Sequence, residues 1–409
     1  MTGHLETELR PEALRPRRAL HVAALPFPTY QGTQAAIRAM LDASIRVDPE
    51  AALFTYATEG YATSTRFAVH RVGDLPRLRS LRSGPSLGKL VLDARMLFEL
   101  QALVHKLQPS VIVAHHVEAA ALALCLRQPK LVFFAHTDLA EELPVYAHPL
   151  LSAALRRAGG TLDRLLVQRA GAVAAISETL RARLSELRED VQFVPVPWEV
   201  PEPIRARERA TSRLGLGIGQ RAKVALYAGN LDAYQGVELI PRALSALGRN
   251  GVPVSLLLAT QSDARAFIRS CELLGVPLHH VVLGDERVRR QVHAAADLAI
   301  VPRLAPGGLP IKLIDALARG VPCAVMPRAC AGLALDGIVE RARGDSAAEL
   351  AHAIQQLLAA ELRRSALAAA GRSYVAREHS QERFVESLDR VFQSALAAPD
   401  RGHLGRIGT

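Results

Sequence analysis

Short apolar runs alternate along the chain with longer segments whose apolar positions recur every three or four residues. Runs of four to six apolar residues read as strands buried on both faces, and the 3.6-residue period reads as helix. In the first half, strands are predicted at Leu20–Leu25, Ala51–Tyr56, Val111–Ala114, Leu131–Ala135 and Ala172–Ile176. Helices at Gln34–Arg46, Leu90–Lys106, Glu118–Arg127, Leu150–Arg169 and Glu178–Glu186 fall between most of them. This alternation predicts a parallel sheet with helices on both faces.

The pattern breaks at Val194–Glu208, where Pro195, Pro197, Pro201 and Pro203 cluster. So many prolines cannot continue a helix or a central strand, so the stretch reads as a linker. Alternation then restarts, with strands at Lys223–Ala228, Val254–Ala259, His280–Leu283, Leu298–Val301 and Pro322–Met326. Helices are predicted at Val237–Leu247, Ser262–Leu274, Val288–Ala296 and Ile311–Arg319, then at Ser346–Ala359, Glu361–Ala376 and Ser380–Ala397. The expected architecture is α/β, with two tandem Rossmann-like, doubly wound domains facing a cleft. The expected divisions are a basic tail at 1–18, a first domain at 19–194, a linker at 195–210 and a second domain at 211–376. A helix at 377–398 is read as packing back on the first domain, and 399–409 as a tail.

Composition narrows the class. A chain of 409 residues that is 49% hydrophobic and 22% charged is not disordered, and two domains of this size each bury a core. The net charge of +10 is carried almost wholly by arginine, with lysines only at 89, 106, 130, 223 and 312. That excess fits either an arginine-preferring genome or an anionic partner. The four cysteines form no CxxC pair, so neither a zinc nor a redox motif is indicated, and a reducing compartment fits. No uncharged apolar stretch reaches the length of a membrane span, and the N-terminus lacks the apolar core of a secretory signal. A cytoplasmic location is expected, peripheral to the inner membrane face if the basic surface meets lipid.

In open parallel sheets, ligands sit beyond the carboxyl ends of the strands. The most informative rim is 300–322, IVPRLAPGGLPIKLIDALARGVP. A strand ends near Val301, a loop carries Pro306, Gly307 and Gly308, and Pro310 stands where a helix begins. Free amides and the helix dipole make such a start an anion site, which glycines let a phosphate approach. Lys312 in the first turn opposes the dipole, which makes sense if an anion bridges both. Asp315 lies one turn later, where a carboxylate could accept bonds from sugar hydroxyls. A solvated lysine and a surface aspartate on an ordinary strand–helix loop are the plainer alternative.

This stretch resembles the donor-site motif of GT-B glycosyltransferases, in particular the retaining family 4. Asp315 through Pro322 is similar to the second glutamate of that family's paired motif and the helix end after it. The first glutamate is absent: Gly307 stands eight residues before Asp315, and Pro310-Ile311-Lys312 resembles a variant branch. The resemblance implies that Asp315 holds the nucleoside ribose. It assigns Lys312, Arg303 and the amides of Gly307 and Gly308 to the diphosphate. Leu226–Glu238 resembles the family's strand–loop–helix that touches the diphosphate, with Gly229 opening the loop and Asn230 and Gln235 where charged residues are common. Both can still hydrogen-bond a phosphate; on residue type alone they read as turn residues. The loop at Gly284–Arg287 is implied to hold the nucleobase.

On the first domain, Gly32 lies in a stretch resembling the family's flexible glycine loop. His136 follows the Leu131–Ala135 strand, where the family has a histidine near the transferred sugar. A lone histidine is otherwise more often structural. His115, His116 and Glu118 follow another strand and are expected to line the acceptor side or to begin a helix. Their spacing matches no standard zinc pattern, and no DxD occurs in the chain. A metal site is therefore not expected. The basic segment Arg66–Arg95 suits an anionic membrane surface or a solvated loop, and it lacks the aromatics of a nucleic-acid site.

The resemblance implies a transferase that moves a sugar from a nucleotide diphosphate sugar to an acceptor hydroxyl with retention. His136 would hold the sugar, and no cofactor is expected beyond the donor. Two alternatives stay open: a nucleotide-sugar epimerase, and a non-catalytic relative that only binds.

Overall fold

The computed structural model describes residues 18–29, 31–57, 65–73, 87–126, 130–146, 149–305 and 308–399. The first half builds strands β1 (Ala19–Pro26), β2 (Ala52–Tyr56), β3 (Ala68–Arg71), β4 (Val111–His115), β5 (Lys130–Ala135), β6 (Ala172–Ala175) and β7 (Gln192–Phe193). Its helices are α1 (Gly32–Ser44), α2 (Leu87–Leu107), α3 (His116–Leu124), α4 (Leu139–Glu142), α5 (Ser152–Arg169) and α6 (Glu178–Ser185). The strands form one parallel sheet in the order β3-β2-β1-β4-β5-β6-β7. The order reverses at β1 and β4, so the crevice at their carboxyl ends is a switch point where ligands bind in such sheets.

The second half opens with α7 (Ala206–Gly215). It continues through β8 (Val224–Ala228), α8 (Leu239–Arg249), β9 (Ser255–Thr260), α9 (Arg265–Leu273) and β10 (Leu278–Val282). Then come α10 (Glu286–Ala295), β11 (Leu298–Val301), α11 (Ile311–Ala318), β12 (Cys323–Val325) and β13 (Glu340–Arg341). The second sheet is also parallel, in the order β10-β9-β8-β11-β12-β13, with its own reversal between β8 and β11. Helices α12 (Ala347–Ala359), α13 (Glu361–Glu378) and α14 (Gln381–Ala397) complete the chain. The expected α/β architecture of two Rossmann-like sheets is the observed one.

The proline-rich stretch is packed rather than loose. Val194 and Val196 are fully buried in an apolar cluster that also holds Val132 and Phe134 of β5 and Leu313 and Ile314 of α11. His379 Nδ1 donates to the Val196 carbonyl at 2.7 Å, and the Trp198 amide donates to the His379 carbonyl at 2.8 Å. The chain therefore crosses between the sheets on a strap pinned to the α13–α14 junction. Helix α14 lies against β5 and β6, so the last helix covers the first sheet.

Two differences from the sequence pattern have clear causes. Helix α7 starts at Ala206, inside the predicted Val194–Glu208 break, because helix geometry becomes available as soon as the prolines end. Its anchor is polar: Arg213 is buried and donates to Asp297 Oδ2 at 2.9 Å and to the carbonyls of Ala295 and Gln220. An apolar period would not reveal such a helix. Strands β3, β7 and β13 were not predicted; β7 and β13 have two residues each, and β3 is a largely exposed edge strand of mixed polarity.

Phe384 of α14 is fully buried in the cluster shared with β5 and the strap. Phe384→Ala is expected to lower stability by about 3–5 kcal/mol, the usual loss for emptying a buried phenylalanine site. Urea unfolding checks it; a loss below about 1 kcal/mol would mean that α14 is not part of this core.

Candidate active site

The carboxyl ends of both sheets face one cleft of about 640 Å³, lined from both halves of the chain. That volume is in the range of small-molecule sites.

On the second-sheet wall the construction starts at the end of β8. Gly229 has φ +153°, and a Cβ there would lie 2.8 Å from Lys312 Nζ, so only glycine lets the lysine lie across the turn. Lys312 Nζ donates to Tyr227 Oη at 2.7 Å and to Gln235 Oε1 at 2.9 Å, and it sits 4.2 Å from the centre of the Tyr227 ring. Both oxygens are neutral. Among the described residues no carboxylate is ion-paired with Lys312. Burial, aided by the Arg303 charge, pulls the ammonium well below its usual range, and the Asp232 charge opposes this only in part. The site therefore lacks negative charge where the amides of the α11 N-terminus also seek it.

Asn230 and Gln235 support this arrangement rather than face the cleft alone. The Asn230 amide donates to Asp232 Oδ2 at 2.8 Å and to Tyr234 Oη at 3.1 Å, inside its own turn. Gln235 is buried and spends its carbonyl oxygen on Lys312. Arg303 lies 5.6 Å from the centre of the Tyr234 ring and donates to the Ala305 carbonyl at 3.2 Å. Gly308 has φ +64°, and a Cβ there would approach the His136 carbonyl to 3.2 Å. The donor loop thus rests on the rim of the first sheet. Gly307 lies outside the described residues.

Asp315 is more enclosed than a ribose acceptor needs to be. Its Oδ1 accepts from Arg319 Nε at 2.9 Å and from Trp198 Nε1 at 3.3 Å. Its Oδ2 lies 3.8 Å from both Arg289 Nε and His293 Nε2. Burial alone would push this carboxyl up; Arg289, His293 and Arg319 together outweigh it and hold it down at about 2. Asp315 still borders the cleft, but its charge is already compensated. Gly284 does not line the cleft; its neighbour Leu283 does, and Arg287 is exposed. The cleft thus meets Leu283, an apolar residue just before the Gly284–Arg287 loop, rather than the loop itself.

The first-sheet wall carries histidines. His136 is buried at the end of β5 and borders the cleft. His116 stacks on it with ring centres 4.5 Å apart. His116 has φ +68°, a conformation rare outside glycine and one that clusters at functional sites. His115, the last residue of β4, is fully buried with its Nδ1 3.0 Å from His136 Nε2, and it borders the cleft together with His116, the first residue of α3. Glu118 borders the cleft and accepts from Lys89 Nζ at 2.5 Å. Gly32 opens α1 in ordinary contact with Ile311 of α11, 3.5 Å from where its Cβ would stand. Lys89, expected on a basic surface, is thus turned to the cleft, and Arg95 pairs with Glu99 at 2.7 Å. Arg77, Arg79 and Arg82 lie outside the described residues.

The sequence reading missed Tyr227, Trp198, Arg289 and His293. Tyr227 reads as strand filler, and only its place two residues before Gly229 hints otherwise. Arg289 and His293 sit four apart on α10, whose start is fixed by Asp285 accepting from the Val288 amide at 2.8 Å. Among the described residues no group of three His, Cys, Asp or Glu is arranged to hold a metal ion, and no helix is long and apolar enough to cross a membrane.

Paired open sheets whose strand ends share one cleft are the architecture of the GT-B glycosyltransferases, and the comparisons place the chain in that class. Residues 222–360 match the family model described as glycosyl transferases group 1, and residues 46–196 match the one described as glycosyltransferase family 4. The chain belongs to the GT-B glycosyltransferases. It is 28% identical over 134 residues to an uncharacterised glycosyltransferase of Methanocaldococcus jannaschii, a match spanning 32% of this chain and 33% of that protein. It is 29% identical over 156 residues to a glycogen synthase of Thermus thermophilus, covering 37% of this chain and 35% of the synthase. The matches thus span about a third of these relatives. Among solved structures, the sucrose-phosphate synthase of Thermosynechococcus elongatus superposes with a TM-score of 0.76 at 18% identity, covering 93% of this chain and 100% of that one. HepE of Anabaena in complex with UDP-glucose gives 0.70 at 14% identity, covering 92% and 99%.

The Asp315 cluster makes a pH-dependent contribution. A carboxyl held below its unfolded value binds fewer protons when folded, so its stabilisation is complete above about pH 4 and is lost as pH falls toward 2. Asp315→Asn should therefore cost about 2 kcal/mol at pH 7 and clearly less near pH 3. Urea unfolding of both proteins across that range checks it, and a pH-independent difference would mean that the carboxylate charge is not what the cluster needs.

Proposed function

We propose that the protein transfers a sugar from a nucleotide diphosphate sugar to an acceptor hydroxyl with retention at the anomeric carbon. The observation that carries the reading is Lys312. A partly buried ammonium with only neutral hydrogen-bond partners lies over a glycine turn in the first turn of α11. That combination calls for a dianionic group rather than a neutral or cationic one. A nucleoside diphosphate supplies it, and the solved neighbours in complex with UDP, UDP-glucose or ADP support the choice.

In this reading the bond between the anomeric carbon and the diphosphate oxygen breaks, and a bond to the acceptor oxygen forms. The acceptor's proton leaves with the diphosphate or to water. Lys312 and the α11 amides stabilise the charge that grows on the leaving diphosphate, which lowers the barrier because the donors are already in place. Arg303 stands beside them. His136 contacts the sugar from the opposite wall. Arg289 and His293, rather than Asp315 alone, meet the ribose, with Leu283 against the base. The acceptor enters between His116 and the Lys89–Glu118 pair. No cofactor or metal takes part. The finer placement is cytoplasmic, with exposed Arg66 and Arg71 facing an anionic membrane surface and no nucleic-acid partner. A binding-only relative would share the nucleotide pocket but show no turnover.

Lys312→Ala should weaken binding of the preferred nucleoside diphosphate by roughly 1.5–3 kcal/mol, the usual worth of a charged hydrogen bond. Calorimetry with UDP, GDP and ADP measures this, and unchanged affinity would remove Lys312 from the donor site. Transfer should also persist in EDTA; complete loss that Mg or Mn restores would replace the reading with a metal-dependent one.

A further inference from the structure

Three imidazoles form a diagonal line across the first sheet. The strands β1, β4 and β5 are adjacent and parallel, with Ala23 paired to His115 and His115 paired to Phe134. His21 is two residues before Ala23, and His136 is two residues after Phe134. Side chains two apart share a face. The three rings therefore lie on one face, each a step nearer the cleft than the last.

The rings are joined edge to edge. His21 Nδ1 lies 3.0 Å from His115 Nε2, and His115 Nδ1 lies 3.0 Å from His136 Nε2. Each contact needs one proton between two nitrogens. Burial drops His21 to about 3 and holds His115 and His136 well below the ordinary range, so every ring is neutral and carries a single proton. With one proton per ring and one per contact, all three rings must use the same nitrogen. Either all are Nδ1–H or all are Nε2–H.

The far end of the line decides between them. His21 Nε2 is buried with no hydrogen-bond partner. If all rings were Nε2–H, that position would be an orphaned N–H, the kind of group that folded proteins almost never leave unpaired. If all are Nδ1–H, the orphan is only a lone pair. His136 Nε2 is then taken by its neighbour, and Nδ1–H is left for the cleft.

Burying three polar rings where valine would pack well costs stability, so a filler role does not account for them. We infer that His21 and His115 are positioning residues that fix the ring orientation and tautomer of His136, so that His136 presents a neutral Nδ1–H donor to an oxygen of the ligand in the cleft. In this tautomer His136 holds a hydroxyl or ring oxygen and does not take its proton. The inference rests on the proposed sugar transfer for its ligand, but the tautomer is a property of the free protein.

Long-range proton–nitrogen NMR of the free, uniformly 15N-labelled protein tests it, with each ring assigned from its single variant. The expected result is Nδ1–H on His21, His115 and His136 alike, unchanged between pH 6 and 8. Nε2–H or mixed tautomers at His136 would overturn the inference whatever the reaction proves to be. His115→Leu removes the donor to His136 Nε2. Its His136 should then populate both tautomers, and turnover should fall at least tenfold while nucleoside diphosphate affinity stays within twofold. His115→Asn keeps an amide donor near the lost Nδ1 and should restore the single tautomer and most of the turnover. A His115→Leu protein whose His136 stays wholly Nδ1–H would show that no neighbour sets it. If His115→Leu does not fold, the wild-type tautomers and the His115→Asn turnover still decide. If every nucleotide fails to bind while the tautomers are as expected, the transfer reading fails and the relay stands.

Discussion

The arrangement of the cleft depends on one partly buried charge. Lys312 lies in the first turn of a helix whose dipole repels it, and Arg303 is close enough to lower its pKa further. Its partners are a phenol and an amide oxygen, which orient an ammonium without neutralising it. Much of the wall follows from this. Gly229 has to lack a side chain because Lys312 occupies the space, Tyr227 supplies both a ring face and an oxygen, and Gln235 is buried to hold the other side. Such a site sacrifices stability in the empty protein and recovers it when an anion binds, which is the logic of a binding pocket rather than of a core.

The two walls have different chemistry. The second-sheet wall is cationic, and the carboxylate of Asp315 is already matched by Arg319 and Arg289. The first-sheet wall carries neutral histidines and the Lys89–Glu118 pair. In the proposed transfer a charged handle meets one wall and an uncharged sugar meets the other. The strap at Val194–Trp198, the α14 helix and the contact of Gly308 with the His136 carbonyl hold the walls in this relation. Trp198 also ties the strap to Asp315, so the crossing between the sheets and the donor helix share a hydrogen bond.

Much of this was legible in the sequence because parallel sheets bury their strands on both faces and leave continuous apolar runs. Val111–Ala114 and Leu298–Val301 needed no more than that. The start of α11 at Ile311 was legible because Pro310 is preorganised for a helix start. What stayed hidden depends on contacts distant in sequence. Arg213 anchors α7 to Asp297, 84 positions away. His21 looks like an ordinary strand residue until β4 brings His115 beside it from 94 positions away. Asp315 looked free for a ribose because Trp198 and Arg289 come to it from other elements.

The central claim is that a nucleoside diphosphate lies over Lys312, against the turn after β8 and the start of α11. Hydrogen–deuterium exchange with UDP, ADP and GDP, alone and as their glucose conjugates, tests it most directly. The account predicts that at least one of them slows exchange, saturably, in the segments 229–236 and 308–315, while α9 on the far side of the second sheet is unchanged. Saturable protection confined to other segments, or none with any of these ligands at millimolar concentration, would contradict it.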